Sequence, residues 1–298
     1  MRRLLVPVVL LAALAAFLSA ALPAPAPAAD PDRPLILAGT SLAADLIADL
    51  TRDLPGGPAE VRTLIPGGAC PGHYDLRPGD LRFLHSAALL VLESYQTGMA
   101  NMRELVRAAE NERLAIFALP QAEGSMLPDA QRAATRALAS RLAKLWPKRA
   151  ADLARAAARR LAAIDAAEAA QRAVLARAGA AGTPALCSVL QAPFARWTGL
   201  RVLAEYGRPE DLTPEGVARL TALGRTGGAR LVLDNLQSGP GAGRGLAESL
   251  GAAQADLTSF PGAAPGEADW ASAFAGNVAR LAAALASRPE TAPAEARP

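Results

Sequence analysis

The chain has 298 residues, 51% hydrophobic, 4% aromatic and 20% charged, with a formal net charge of +3. About 270 residues after the N-terminal segment is enough for one large or two medium domains, each with its own core. No basic stripe interleaved with aromatics occurs, so nucleic acid is not an implied partner, and the two cysteines, Cys70 and Cys187, are too few for a disulfide framework.

Arg2 and Arg3 open the chain, an apolar run follows from Leu4 to Leu22, and Pro23 to Ala29 is rich in Ala and Pro. Ala26-Pro27-Ala28 reads as a small-x-small cleavage site just before Asp30. Together these form a secretory signal peptide over residues 1–29. An uncleaved membrane anchor is the alternative, because the run is long enough to span a bilayer. No Cys follows the small residues and the rest of a twin-arginine signal is missing, so the general secretory route and a periplasmic location are expected.

Pro34 to Ala38 reads as a first strand, and Thr40 or Ser41 can cap a helix over Leu42 to Leu54. Val61 to Ile65 is a second strand, ending in Pro66-Gly67-Gly68, and a loop runs from Ala69 to Pro78. A short helix over Asp80 to Ser86, a strand over Ala87 to Leu92, a helix over Asn101 to Asn111 and a strand over Leu114 to Leu119 follow. This alternation predicts a parallel sheet with helices on both faces.

The middle of the chain differs. From Asp129 to about Gly179 the one break is Pro147, and Ala, Leu and Arg dominate. Lys148 to Ala178 predicts a single helix of about 45 Å at 1.5 Å per residue. A coiled-coil arm would need a sustained heptad, which is absent, so the helix reads as a backbone connecting two lobes.

The alternation then resumes: a strand at Pro184 to Leu190, a helix from Pro193 to Thr198 and a strand at Arg201 to Tyr206. Thr213-Pro214-Glu215 opens a helix with a cap and an early Pro. Strands at Arg230 to Leu233 and Ala255 to Thr258 flank a helix at Gly245 to Leu250, and Asp269 to Ala286 is the last helix. The fold class is α/β, with two lobes, each a mostly parallel sheet flanked by helices, joined by one long helix. The plan is an N-terminal lobe over 30–147, a connecting helix over 148–179, a C-terminal lobe over 180–288 and a disordered tail over 289–298.

Leu64-Ile65-Pro66 followed by His73-Tyr74-Asp75-Leu76-Arg77-Pro78-Gly79-Asp80 resembles the first metal-ligand loop of the zinc/manganese solute-binding proteins of ABC importers, the periplasmic cluster A-I family. The resemblance runs through the helix and strand of Leu81 to Leu92, the long helix, the strand end Asp234-Asn235-Leu236-Gln237 and the last helix with Asn277. It implies an extracytoplasmic binding protein, not an enzyme. Such a protein takes a transition metal as transported ligand, zinc foremost, or a small metal chelate, and hands it as a monomer to a permease in the inner membrane.

The family supplies three His and an acid, whereas this chain has only His73 and His85. The second ligand loop, near Ser125 to Pro128, offers Met126 as its one soft donor. The third position carries Cys187 and Ser188, and the fourth falls near Glu267 or Asp269.

The residues themselves suggest a soft site. Cys70-Pro71-Gly72-His73 puts a thiol and an imidazole three residues apart, a spacing that lets both converge on one ion. Cys187 would add a second thiolate, and two thiolates with an imidazole favour zinc, copper(I) or iron over manganese. Met126 could add a thioether or Asp269 a carboxylate. A Cys70–Cys187 disulfide is the rival state, and Cys187 can equally be an inert buried thiol. His73 can bridge its loop, and His85 reads as a helix-terminal residue. Gln191, Asp234 and Asn235 are expected to line the cleft, because ligands of open α/β sheets sit beyond the carboxyl ends of strands. Trp197 and Trp270 can wall the pocket or fill the core. The competing functional readings are a thiol-dependent enzyme with Cys187 as nucleophile and His73 as base, or an adhesion module on the same scaffold.

Overall fold

A computed structural model describes residues 34–55, 59–75 and 77–287. The expected signal peptide and C-terminal tail lie outside the described residues.

Two parallel sheets organise the chain. The first has strands β1 (Leu35–Thr40), β2 (Glu60–Ile65), β3 (Leu89–Leu92) and β4 (Ala115–Ala118), in the order β2-β1-β3-β4. The second has β5 (Pro184–Ser188), β6 (Arg201–Tyr206), β7 (Leu231–Asn235) and β8 (Ala253–Leu257), in the equivalent order β6-β5-β7-β8. All pairings are parallel. The central strands β1, β3 and β7 are buried along their whole length. That is why they read as unbroken apolar runs: helices cover both faces.

In the first half those helices are α1 (Ser41–Thr51), α2 (Pro78–Ser86) and α3 (Ala100–Ala108). Thr40 caps α1, its hydroxyl accepting from the Ala43 N–H at 3.2 Å. In the second half they are α6 (Ala192–Trp197), α7 (Pro214–Gly227), α8 (Arg244–Leu250) and α9 (Trp270–Ala286). Thr213 caps α7 as its Thr-Pro-Glu start suggested.

Between the halves, α4 (Pro128–Leu145) and α5 (Ala150–Ala178) are separate helices. Pro147 has no N–H to continue a helix and pushes Trp146 out of helical geometry (φ −127°, ψ 72°). The chain reverses there. Arg132 of α4 meets Asp165 and Glu168 of α5, and Gln131 meets Arg160.

The 29-residue α5 is continuous, as its composition suggested. Its first half packs Leu153, Ala156 and Ala157 into the core of the first sheet, and its second half packs Ile164 and Leu175 into that of the second. Arg160, at mid-helix and 6% exposed, donates to Asp45 at 2.8 Å and Asp49 at 3.1 Å on α1. The helix joins the halves because each end is buried in a different core. No helix of the described residues is long and apolar enough to cross a membrane.

Candidate functional site

The two sheets aim their carboxyl ends at one cleft. A cavity of about 380 Å³ lies there, and each of its lining residues ends a strand or belongs to a segment that follows one. Cys70 and Gly72 follow β2, Tyr95 and Met99 follow β3, and Ser125 and Met126 follow β4. From the second sheet, Leu190 and Gln191 follow β5, Arg208 follows β6, Asn235 and Gln237 lie at the end of β7, and Ser259 and Phe260 follow β8. This is where open α/β sheets bind ligands. A wider depression of about 830 Å³, beside His73, is lined by the first half alone.

Hydrogen bonds stitch the halves together around the cavity. Ser41 Oγ donates to the Pro261 carbonyl at 2.7 Å, Gln237 Nε2 to the Gly67 carbonyl at 2.8 Å, and Trp270 Nε1 to the Met126 carbonyl at 2.8 Å. Trp270 stacks on Phe274, whose ring also meets Phe194 and Trp197, so both tryptophans belong to a packed aromatic cluster.

The residues singled out in the sequence go to different places. Cys70, Met126, Gln191 and Asn235 line the cavity. Gln191 is 2% exposed and donates to the Leu257 carbonyl and the Ser259 hydroxyl. Asn235 Nδ2 donates to the same hydroxyl at 2.8 Å. Asp234 is not in the lining. It is fully buried, accepting from Tyr206 Oη at 2.5 Å, the Gly243 N–H at 2.8 Å and Gln254 Nε2 at 2.6 Å, and burial pushes its carboxyl above the ordinary range. Its work is to hold the loop after β7.

His73 sits at the rim on a short turn, Pro71–His73, half-exposed. Its Nε2 lies 3.3 Å from Arg208 Nη1 and 3.6 Å from Glu210 Oε1, both from the second half. Cys187 is 0% exposed in the middle of its sheet, packed among the core residues, and burial pushes its thiol up to about 12. Held protonated, the thiol is not poised as a nucleophile at neutral pH. Both cysteines are free, so the rival disulfide is not formed.

Asp269 is the N-cap of α9. Its Oδ1 accepts from the Ser272 N–H at 2.8 Å and the Ser272 hydroxyl at 2.6 Å, which holds its carboxyl below the ordinary range. The alternative acid, Glu267, is ion-paired with Arg280 at 2.5 Å. Asn277 accepts from the Thr258 N–H and donates to its carbonyl, pinning the end of β8. His85 Nδ1 lies 3.1 Å from the Ala109 carbonyl, a helix-terminal role. Among the described residues, no group of three or more His, Cys, Asp or Glu is arranged to hold a metal ion. Cys70, His73 and Cys187 are therefore not assembled as one ligand set.

Two features were missed in the sequence, one behind the cavity wall and one in it. Glu93, directly after β3, is a buried carboxylate that accepts from Ser125 Oγ at 3.0 Å and Thr40 Oγ1 at 3.4 Å, and burial raises its pKa. Its position after an apolar strand was the available signal. Arg208 was missed because an Arg in a chain so rich in Arg carries no pattern.

Residues 43–284 match the family model described as ZnuA, zinc-uptake complex component A, periplasmic. Among solved structures, a metal-free mutant of a periplasmic metal-binding protein from Candidatus Liberibacter asiaticus is 12% identical, with a TM-score of 0.71 over 85% of this chain and 100% of that one. Manganese-bound and cadmium-bound forms of that protein match at TM-scores of 0.70 and 0.69. A crystal structure of ZnuA is 18% identical, with a TM-score of 0.69 over 85% of this chain and 99% of that one. At these identities the likenesses show the fold. No curated protein matches the chain.

Proposed function

The chain belongs to the ZnuA family, the periplasmic component A of the zinc-uptake complex, and from that premise we propose what it carries and where. It is a binding component of a metal-uptake system, not an enzyme. Its cargo is a transition metal, zinc foremost, bare or in a small complex, and its client is an ABC permease of the inner membrane. The manganese and cadmium held by one structural relative widen the range of candidate ions.

The observation that carries the reading is the cavity between the two sheets, walled by both sets of carboxyl-end loops. Of the residues expected to meet cargo, Cys70 and Met126 offer sulfur there, with the amides of Gln191 and Asn235 beside them and His73 at the rim. Sulfur donors suit soft or borderline metals.

The test is elemental analysis of protein purified from the periplasm without chelator, followed by thermal-shift titration with zinc, iron and manganese salts and their carboxylate complexes. The expected result is a metal content near one equivalent per chain, or a stabilising shift with one of the added forms. A protein that purifies metal-free and shifts with none of them would overturn the proposal.

A further inference from the structure

A bare divalent ion needs several anionic or imidazole donors converging on one point. The described residues hold no such group, and the whole chain has only two His and two Cys. What the cavity offers instead is a cation. Arg208 reaches its wall, donates to His73 Nε2 at 3.3 Å and forms no ion pair among the described residues. Glu123, exposed at the rim, is the one acid in the lining. A bare metal ion would meet Arg208 as a like charge, and the same guanidinium engages the imidazole through Nε2.

The local backbone favours this placement of the guanidinium. A Cβ at Gly72 would lie 2.9 Å from Arg208 Nη2, so glycine lets the charged group rest against the loop. The rest of the wall suits a carbon frame. Tyr95 and Leu190 are 47% and 46% exposed, and Met99, Phe194 and Phe260 join them around the cavity. At about 380 Å³ the space is that of a small-molecule site, far larger than one ion requires.

We propose that the metal arrives held in an anionic organic chelate, with Arg208 binding a carboxylate of the chelate and the aromatic and methionine wall covering its carbon frame. The inference rests on the metal-capture reading above and narrows it: the protein recognises the chelator, and the metal is carried inside. Arg is suited to this because its planar fork matches a carboxylate with two parallel hydrogen bonds.

The experiment is calorimetric titration of the purified protein with zinc chloride, zinc citrate and zinc dipicolinate, repeated on Arg208→Ala and Arg208→Lys. One of the two complexes is expected to bind at least about 10-fold tighter than the salt, and Arg208→Ala to lose about 10- to 100-fold of that affinity, the range for a charged hydrogen-bond pair. Arg208→Lys keeps the charge without the fork and should fall between the two. Zinc chloride binding as tightly as either complex, or complex binding unchanged in Arg208→Ala, would overturn the chelate proposal and leave metal capture standing. If none of the three probes binds, the chelate proposal fails, and metal capture is decided by the elemental analysis and the iron and manganese titrations above.

Discussion

Gly67 tests whether the cleft is a rigid seam. It lies on the turn after β2, and a Cβ there would sit 2.0 Å from the Pro261 carbonyl oxygen and 3.0 Å from Ser41 Oγ. A carbon and a carbonyl oxygen need about 3.3 Å, so Gly67→Ala must drive the second half's backbone back by more than about 1 Å. That carbonyl accepts from Ser41 at 2.7 Å, and the Gly67 carbonyl accepts from Gln237 at 2.8 Å. Losing both bonds at about 1 kcal/mol each, with about 1 kcal/mol or more of overpacking, gives about 3 kcal/mol. For a chain of this size that lowers the melting temperature by about 6 to 12 °C. Differential scanning calorimetry of the two proteins reads this directly, and small-angle scattering reports whether the halves have parted. A melting temperature within about 2 °C of the native value, with an unchanged scattering profile, would refute the close approach and the rigidity argued from it.

Three further outcomes follow from the same structure. Arg160→Met should destabilise the protein by about 3 kcal/mol, because Asp45 and Asp49 lose a buried partner; in chemical denaturation, adding Asp45→Asn and Asp49→Asn should recover most of the loss, and a neutral single variant would refute the pairing. Glu93 has its pKa raised above 4.5 by burial, so the native state holds that proton more tightly than the unfolded chain and loses stability as pH rises through the raised value. Glu93→Gln removes that dependence, and its stability relative to native should climb from pH 4.5 upward in urea melts; a flat difference would contradict the buried charge. Cys187→Ala should cost about 1 kcal/mol of stability and leave the affinity for any metal form unchanged by calorimetry, whereas lost affinity would restore Cys187 as a ligand.

The strands were legible because buried parallel strands are short apolar runs bounded by Gly, Pro and polar residues. Leu89–Leu92 and Leu231–Asn235 could scarcely be anything else. The break at Pro147 was visible too, but not that the chain reverses there, since reversal depends on Arg132 and Gln131 meeting α5 across space.

The site was legible only as a set of loops. A strand points successive side chains to opposite faces, so a single step along it decides between cleft and core. On β5 the alternation is regular, with Ala185 and Cys187 on one face and Leu186 on the other, but both faces are covered, so the apolar run does not say which way Cys187 turns. Cys187 fell on the core side, and Asp234 turned inward to Tyr206 and Gln254. Arg208 carries no local pattern at all, and Glu93 only its place directly after an apolar strand.

The residue order by itself determined the α/β alternation, the long helix and the family resemblance, because these rest on periodicity and composition along the chain. Which donors share the cleft was decided by the tertiary structure alone. It depends on how the two sheets face each other: Arg208 comes to His73 across 135 positions of sequence, and Trp270 to Met126 across 144.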